Sequence, residues 1–180
     1  MIILGIDPGS NITGFGVVRI EGGKTVLVDS GVIRASSVGA DHQLRLKQIY
    51  DSVCELIGQH LPDFCAVEMP IYGKNPQSML KLGRAQATAM LASLNHQIPV
   101  TEYTPKEVKK AVTGNGNASK EQVRFMIETM LSMKQGSSIT LDASDALAVA
   151  LCHVHRGGSD QKLPSKNWAA FIRENPGRLR

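Results

Sequence analysis

The run Ile2-Ile3-Leu4-Gly5-Ile6 carries no polar side chain and ends on Asp7-Pro8-Gly9. With no alternation of polar residues, the segment has no solvent face and reads as a strand buried on both sides. Such a strand needs a packed layer above and below it, which restricts the chain to a layered α/β architecture. It also leaves Asp7 at the end of a buried strand, where a charged group rarely sits without a partner.

The remaining pattern supplies the layers. Thr13 to Ile20 reads as a second strand, Gly22-Gly23 as a hairpin and Thr25 to Arg34 as a third strand, an antiparallel meander. Residues 42–60 place Leu44, Ile49, Val53, Leu56 and Ile57 near helical spacing. Asp63 to Glu68 is a short buried strand that again ends on a carboxylate. After a loop from Pro70 to Lys74, Asn75-Pro76 caps a helix reaching Asn95, whose Gly83, Ala85, Ala87, Ala89 and Ala92 permit close helix packing. Pro99 to Tyr103 is a fifth strand. Thr104-Pro105-Lys106-Glu107 and Ser119-Lys120-Glu121-Gln122 have capping-box form and open two helices, the second to about Met133, separated by Gly114-Asn115-Gly116-Asn117. A last Ala- and Leu-rich helix spans 140–155. The order predicts an RNase H-like fold in residues 1–155: a mixed five-stranded sheet, three antiparallel strands and then parallel ones, flanked by helices. Residues 156–180 hold Gly157-Gly158, Pro164 and Pro176 with little periodicity and read as a basic, poorly ordered tail.

The net charge of +4 is unevenly spread. Residues 74–134 hold nine basic side chains against four acidic, whereas residues 1–73 hold five against eight. A polyanion can bind the basic third and lay its backbone beside an acidic site; a solvated surface is the plainer alternative. No apolar run approaches the roughly 20 residues of a membrane helix, and the first residues lack the basic region of a secretory leader. Cys54, Cys65 and Cys152 are odd in number and widely spaced, which suits free thiols in a reducing compartment. A cytoplasmic protein is expected.

Four carboxylates concentrate the chemistry. Asp7 and Glu68 end buried strands, and Asp142 and Asp145 stand three apart at a helix start, on one face. Gly9, Gly14 and Gly16 leave the backbone near Asp7 open to close approach. If the four converge, their repulsion calls for a cation, and oxygen ligands select Mg²⁺ or Mn²⁺ over zinc. Two such ions suit phosphoryl chemistry. Taken singly, each acid has a structural reading: Asp7 as an Asx-turn residue, Glu68 as a strand-end residue, Asp142 as a helix N-cap, Asp145 as a first-turn acid favoured by the helix dipole.

The segments Ile3-Leu4-Gly5-Ile6-Asp7-Pro8-Gly9-Ser10, Thr13-Gly14-Phe15-Gly16, Ser78-Met79-Leu80-Lys81-Leu82-Gly83, Asp142-Ala143-Ser144-Asp145-Ala146-Leu147-Ala148 and Gly177-Arg178-Leu179-Arg180 resemble the RuvC family of bacterial Holliday-junction resolvases. The resemblance implies a homodimeric, Mg²⁺-dependent endodeoxyribonuclease, with Mn²⁺ as a substitute and two ions per site. It would make paired symmetric nicks in four-way junction DNA during recombination and repair, beside the RuvA and RuvB branch-migration complex. It places Asp7, Glu68, Asp142 and Asp145 at the metal-binding catalytic positions, and Lys109 and Lys120 at lysines implicated in catalysis or phosphate contact. Where well-known members carry a wedge Phe after the catalytic Glu, this chain reads Met69-Pro70-Ile71-Tyr72-Gly73-Lys74. Ile71, Tyr72 and Lys74 are therefore candidate DNA contacts, with Lys81 and Arg84 on the following helix. The small-residue face of that helix is the expected dimer contact.

Two other readings share these features. An actin-like ATPase also uses an Asp and glycines at its first hairpin, but needs two such domains, and this chain has room for one. A DNA-structure binder on a decayed nuclease fold would not need four candidate ligands.

Overall fold

The computed structural model describes residues 1–70, 73, 75–133 and 139–156. Five strands, β1 (Ile2–Asp7), β2 (Thr13–Glu21), β3 (Lys24–Ile33), β4 (Phe64–Glu68) and β5 (Val100–Tyr103), form one sheet in the order β3-β2-β1-β4-β5. β1 pairs antiparallel with β2, and β2 with β3; β4 is parallel to both β1 and β5. This is the mixed sheet that the sequence predicts. Five helices flank it: α1 (His42–His60), α2 (Pro76–Asn95), α3 (Pro105–Thr113), α4 (Lys120–Met130) and α5 (Leu141–His155).

The sheet separates two cores, and period-two alternation assigns each strand residue to one of them. Leu4, Ile6, Val17, Cys65 and Val67 pack towards α1 and α2. Ile3, Val18, Phe64, Ala66 and Tyr103 pack towards α3, α4 and α5. Ten of the fifteen residues of α5 are buried, as its apolar composition requires.

The approach of α5 to the sheet depends on glycine. A Cβ at Gly5 would stand 2.2 Å from the Ala146 carbonyl oxygen, and one at Gly14 would stand 2.0 Å from that of Asp142. At Gly16 it would meet Leu147 Cδ2 at 2.6 Å. Side chains at these positions would lift the helix off β1 and β2.

Local signals hold at most helix starts. Asn75 Oδ1 accepts from the backbone of Gln77 at 3.0 Å, and both capping boxes form, Thr104 with Glu107 and Ser119 with Gln122. Two expectations need correction, and one alternative reading falls away. α4 ends at Met130 rather than Met133, with Leu131 as its C-cap. The N-cap of α5 is Thr140, whose hydroxyl accepts from Ala143, so Asp142 is not spent on capping. The small-residue face of α2 divides: Ala85, Ala89 and Ala92 are buried, while Ala87 is exposed. The three cysteines are free, Cys65 and Cys152 buried and Cys54 half-buried. The tail, apart from Arg156, lies outside the described residues.

Candidate active site

Alternation along the strands decides where the first two acids go. Asp7 follows Ile3 and Gly5 on the α5 side of β1, and Glu68 follows Phe64 and Ala66 on the same side of β4. The parallel register pairs Ile6 with Val67, so Asp7 and Glu68 come next, side by side, where the two strands end. Neighbouring strands lie about 4.8 Å apart, which leaves two like charges with little water between them. Above them the glycine-lined contact brings the first turns of α5, and with them Asp142 and Asp145.

The electrostatics register this convergence. Asp7 is raised from 3.8 to about 6, first by burial and then by the charges of Asp145 and Asp142. Glu68 is raised from 4.5 to about 8, first by burial and then by Asp7 and Asp145. Lys120 opposes both shifts, and Lys109 opposes that of Glu68. Burial and mutual repulsion of this kind would be relieved by a nearby counter-charge.

A cavity of about 430 Å³ opens over these groups. Asp7, Glu68, Asp145, Lys109 and Lys120 line it, together with Lys106 and Asn117. Asp142 acts on Asp7 electrostatically but is not part of that lining. The ammonium of Lys120 reaches Asp145, Nζ to Oδ2 2.9 Å. Lys109 lies within α3, and Lys120 opens α4. Lys106 and Asn117 were not anticipated. Their signal was Gly114-Asn115-Gly116-Asn117, which reads as a helix break but also folds against α3: a Cβ at Gly116 would meet Lys106 Cγ at 2.8 Å.

The donor set suits a hard cation, since every candidate ligand is a carboxylate oxygen. Among the described residues no group of three or more acids, histidines or cysteines is gathered closely enough to be a finished coordination shell. Lys120 supplies positive charge to one of these acids.

Lys81 and Arg84 are exposed on α2, outside the cavity lining, and their charges reach His42 at the start of α1. Ile71, Tyr72 and Lys74 lie outside the described residues.

Known proteins are similar to this chain in both sequence and fold. A family profile described as crossover junction endodeoxyribonuclease RuvC matches residues 3–153. The crossover junction endodeoxyribonuclease RuvC of Salinibacter ruber is 56% identical over 179 residues, covering 99% of each chain. That of Geobacter metallireducens is 44% identical over 165 residues, covering 92% of this chain and 99% of its own. Among solved structures, T. thermophilus RuvC in complex with a Holliday junction substrate superposes with a TM-score of 0.80 at 32% identity, over 87% of this chain and 94% of that one. The yeast mitochondrial Holliday junction resolvase Ydc2, at 16% identity and a TM-score of 0.57 over 83% of this chain and 77% of its own, shares the fold. With its sheet, its carboxylate pair and its basic cavity wall in place, the chain belongs to the RuvC family of crossover junction endodeoxyribonucleases.

Proposed function

We propose that this protein is a metal-dependent endonuclease that resolves four-way DNA junctions by paired symmetric nicks. The observation that carries the reading is one cavity lined by Asp7, Glu68 and Asp145 together with Lys109 and Lys120. Acids alone would repel a phosphodiester, and lysines alone would only bind it. Lining one cavity, they would let a phosphate lie between a cation site and the lysine ammonium groups.

Asp7, Glu68, Asp142 and Asp145 would hold Mg²⁺, two ions with Mn²⁺ as a substitute, which would supply Lewis acidity to water and to phosphate oxygens. The chain's own groups do the rest. Glu68, pushed up to about 8 by burial and by the charges of Asp7 and Asp145, would favour its neutral form without a cation and would act as a ligand in its ionised form. Lys109 and Lys120 orient the backbone by charge. Lys81 and Arg84, with Ile71, Tyr72 and Lys74, would extend the contact along the junction arms.

Replacing Asp7 by Asn tests this directly. Cleavage of a synthetic four-way junction is expected to fall by about 10³-fold or more, because the variant loses a ligand and its charge. Junction binding, measured by gel shift without metal, should persist. Substantial residual cleavage would remove Asp7 from the metal site. Binding without cleavage by the unaltered protein, in both Mg²⁺ and Mn²⁺, would favour the decayed-nuclease reading. The ATPase reading loses its ground, because the match to the resolvase family runs through the whole domain.

Two such sites must act on one junction, which supports a homodimer with the two-fold symmetry of its substrate. The outward face of α2 suits that contact: Leu80, Leu91 and Leu94 are 56%, 53% and 53% exposed, and their spacing sets them in one stripe with Gly83 and Ala87. This replaces the inward alanines as the dimer surface. Leu91→Glu should shift the protein to monomers in sedimentation velocity; an unchanged dimer would place the contact elsewhere. Family membership also supports action beside RuvA and RuvB in the cytoplasm. Among the described residues no helix is long and apolar enough to cross a membrane.

A further inference from the structure

Lys120 is the first residue of α4. That is a poor place for a cation, since the N-terminal end of a helix carries partial positive charge. The local sequence does not explain the choice; the tertiary structure does. The side chain crosses from α4 to α5, and Nζ meets Asp145 Oδ2 at 2.9 Å. The two partners are unequal. The Lys120 side chain is 60% exposed and that of Asp145 is 24% exposed. A flexible exposed ammonium can leave, whereas a carboxylate on a helix packed against glycines cannot follow it. The same site lacks a finished three-ligand shell among the described residues.

We infer that Lys120 is the resident counter-ion of the metal-free site: it occupies Asp145 until a divalent cation displaces it, and the released ammonium then faces the DNA backbone. This rests on the metal-site reading above and adds to it a role for Lys120 before any substrate arrives. Two consequences follow from charge alone. While Lys120 is in place, the cavity carries less net negative charge, so the fold bears less self-repulsion. When a cation takes Asp145, one basic group is freed on the wall where a phosphate must sit, which couples metal loading to DNA grip.

The test is Mn²⁺ binding to the full-length protein in the absence of DNA, followed by calorimetry and by the electron paramagnetic signal of free Mn²⁺. Lys120 is exposed and its backbone cap does not depend on its side chain, so Lys120→Gln should fold. It should bind Mn²⁺ about fivefold more tightly than the unaltered protein, the scale of one exposed ion pair. Lys120→Arg keeps the charge and the reach, and its affinity should stay within about twofold of the original. Lys109→Gln removes a charge that acts on Glu68 from the same cavity, and should tighten binding by less than about twofold. Equal or weaker Mn²⁺ binding by Lys120→Gln overturns the inference, as does equal tightening by Lys109→Gln, which would reduce the effect to general charge. The underlying metal site fails separately: absence of Mn²⁺ binding in every form, or undiminished binding by Asp145→Asn, removes the site itself and the counter-ion role with it.

Discussion

The two walls of the cavity are built differently. The acidic wall stands on buried elements: Asp7 and Glu68 end paired strands, and Asp145, with Asp142 beside the cavity, rides on a helix seated against glycines. The basic wall stands on α3, α4 and the turn between them, short helices whose lysines are held by long, flexible stems. The contrast teaches a division of labour. Ligands for a cation must be fixed to within a fraction of an ångström, so they sit on rigid elements. Groups that grip a phosphodiester act by charge over longer distances and can tolerate movement.

The sharpest way to break the acidic wall is to move α5. Gly14→Ala would put a methyl group 2.0 Å from the Asp142 carbonyl oxygen, a clash with backbone. We expect a loss of about 3 kcal/mol or more of stability in urea unfolding, and loss of cleavage even where the fold survives. A near-native stability would mean that α5 does not lie against β2 as described.

A smaller effect, of opposite sign, comes from relieving the repulsion. Glu68 titrates near 8 when folded and near 4.5 when unfolded, so the folded state binds the extra proton between those values. Stability from this group therefore falls as pH rises through that window. Glu68→Gln should stabilise the metal-free protein at pH 8 by on the order of 2 kcal/mol and have little effect at pH 4, while abolishing cleavage. Thermal melts in the presence of a chelator at both pH values check the sign. Destabilisation at pH 8 would show that the Glu68 carboxylate is satisfied rather than strained.

The basic wall should respond more mildly. Lys109→Ala is expected to weaken junction binding without metal a few-fold, and to lower the slope of log affinity against log salt by about one. Its melting temperature should hardly change. A large loss of stability would make Lys109 part of the fold instead of the grip.

Much of the acidic wall is legible in the sequence. Apolar runs that end on Asp7 and on Glu68 specify both the strand and the place where it stops, because a sheet interior excludes unpaired charge. The strand and helix order, the N-caps at Asn75, Thr104 and Ser119, and the pairing of Asp142 with Asp145 on one helix start are likewise local, set by periodicities and hydrogen bonds within a few residues. The resemblance then extended the reading to function.

What the sequence could not settle was which way each face turns once the layers pack. Gly14 and Gly16 announced a close approach, but not that the approaching element was α5. The small residues of α2 announced tight packing, but Ala85, Ala89 and Ala92 turned inward and left Leu80, Leu91 and Leu94 outside. The lysines carried the least information, since a solvated lysine and one that meets a carboxylate 25 residues away in the chain are written identically. The residues of Asp7 to Glu68 fixed where the negative charge would stand, because burial is encoded locally in every apolar neighbour. Only the tertiary structure brought Lys120 to Asp145 and gathered the basic and acidic groups around one cavity, because long-range charge pairing leaves no periodic trace in the chain.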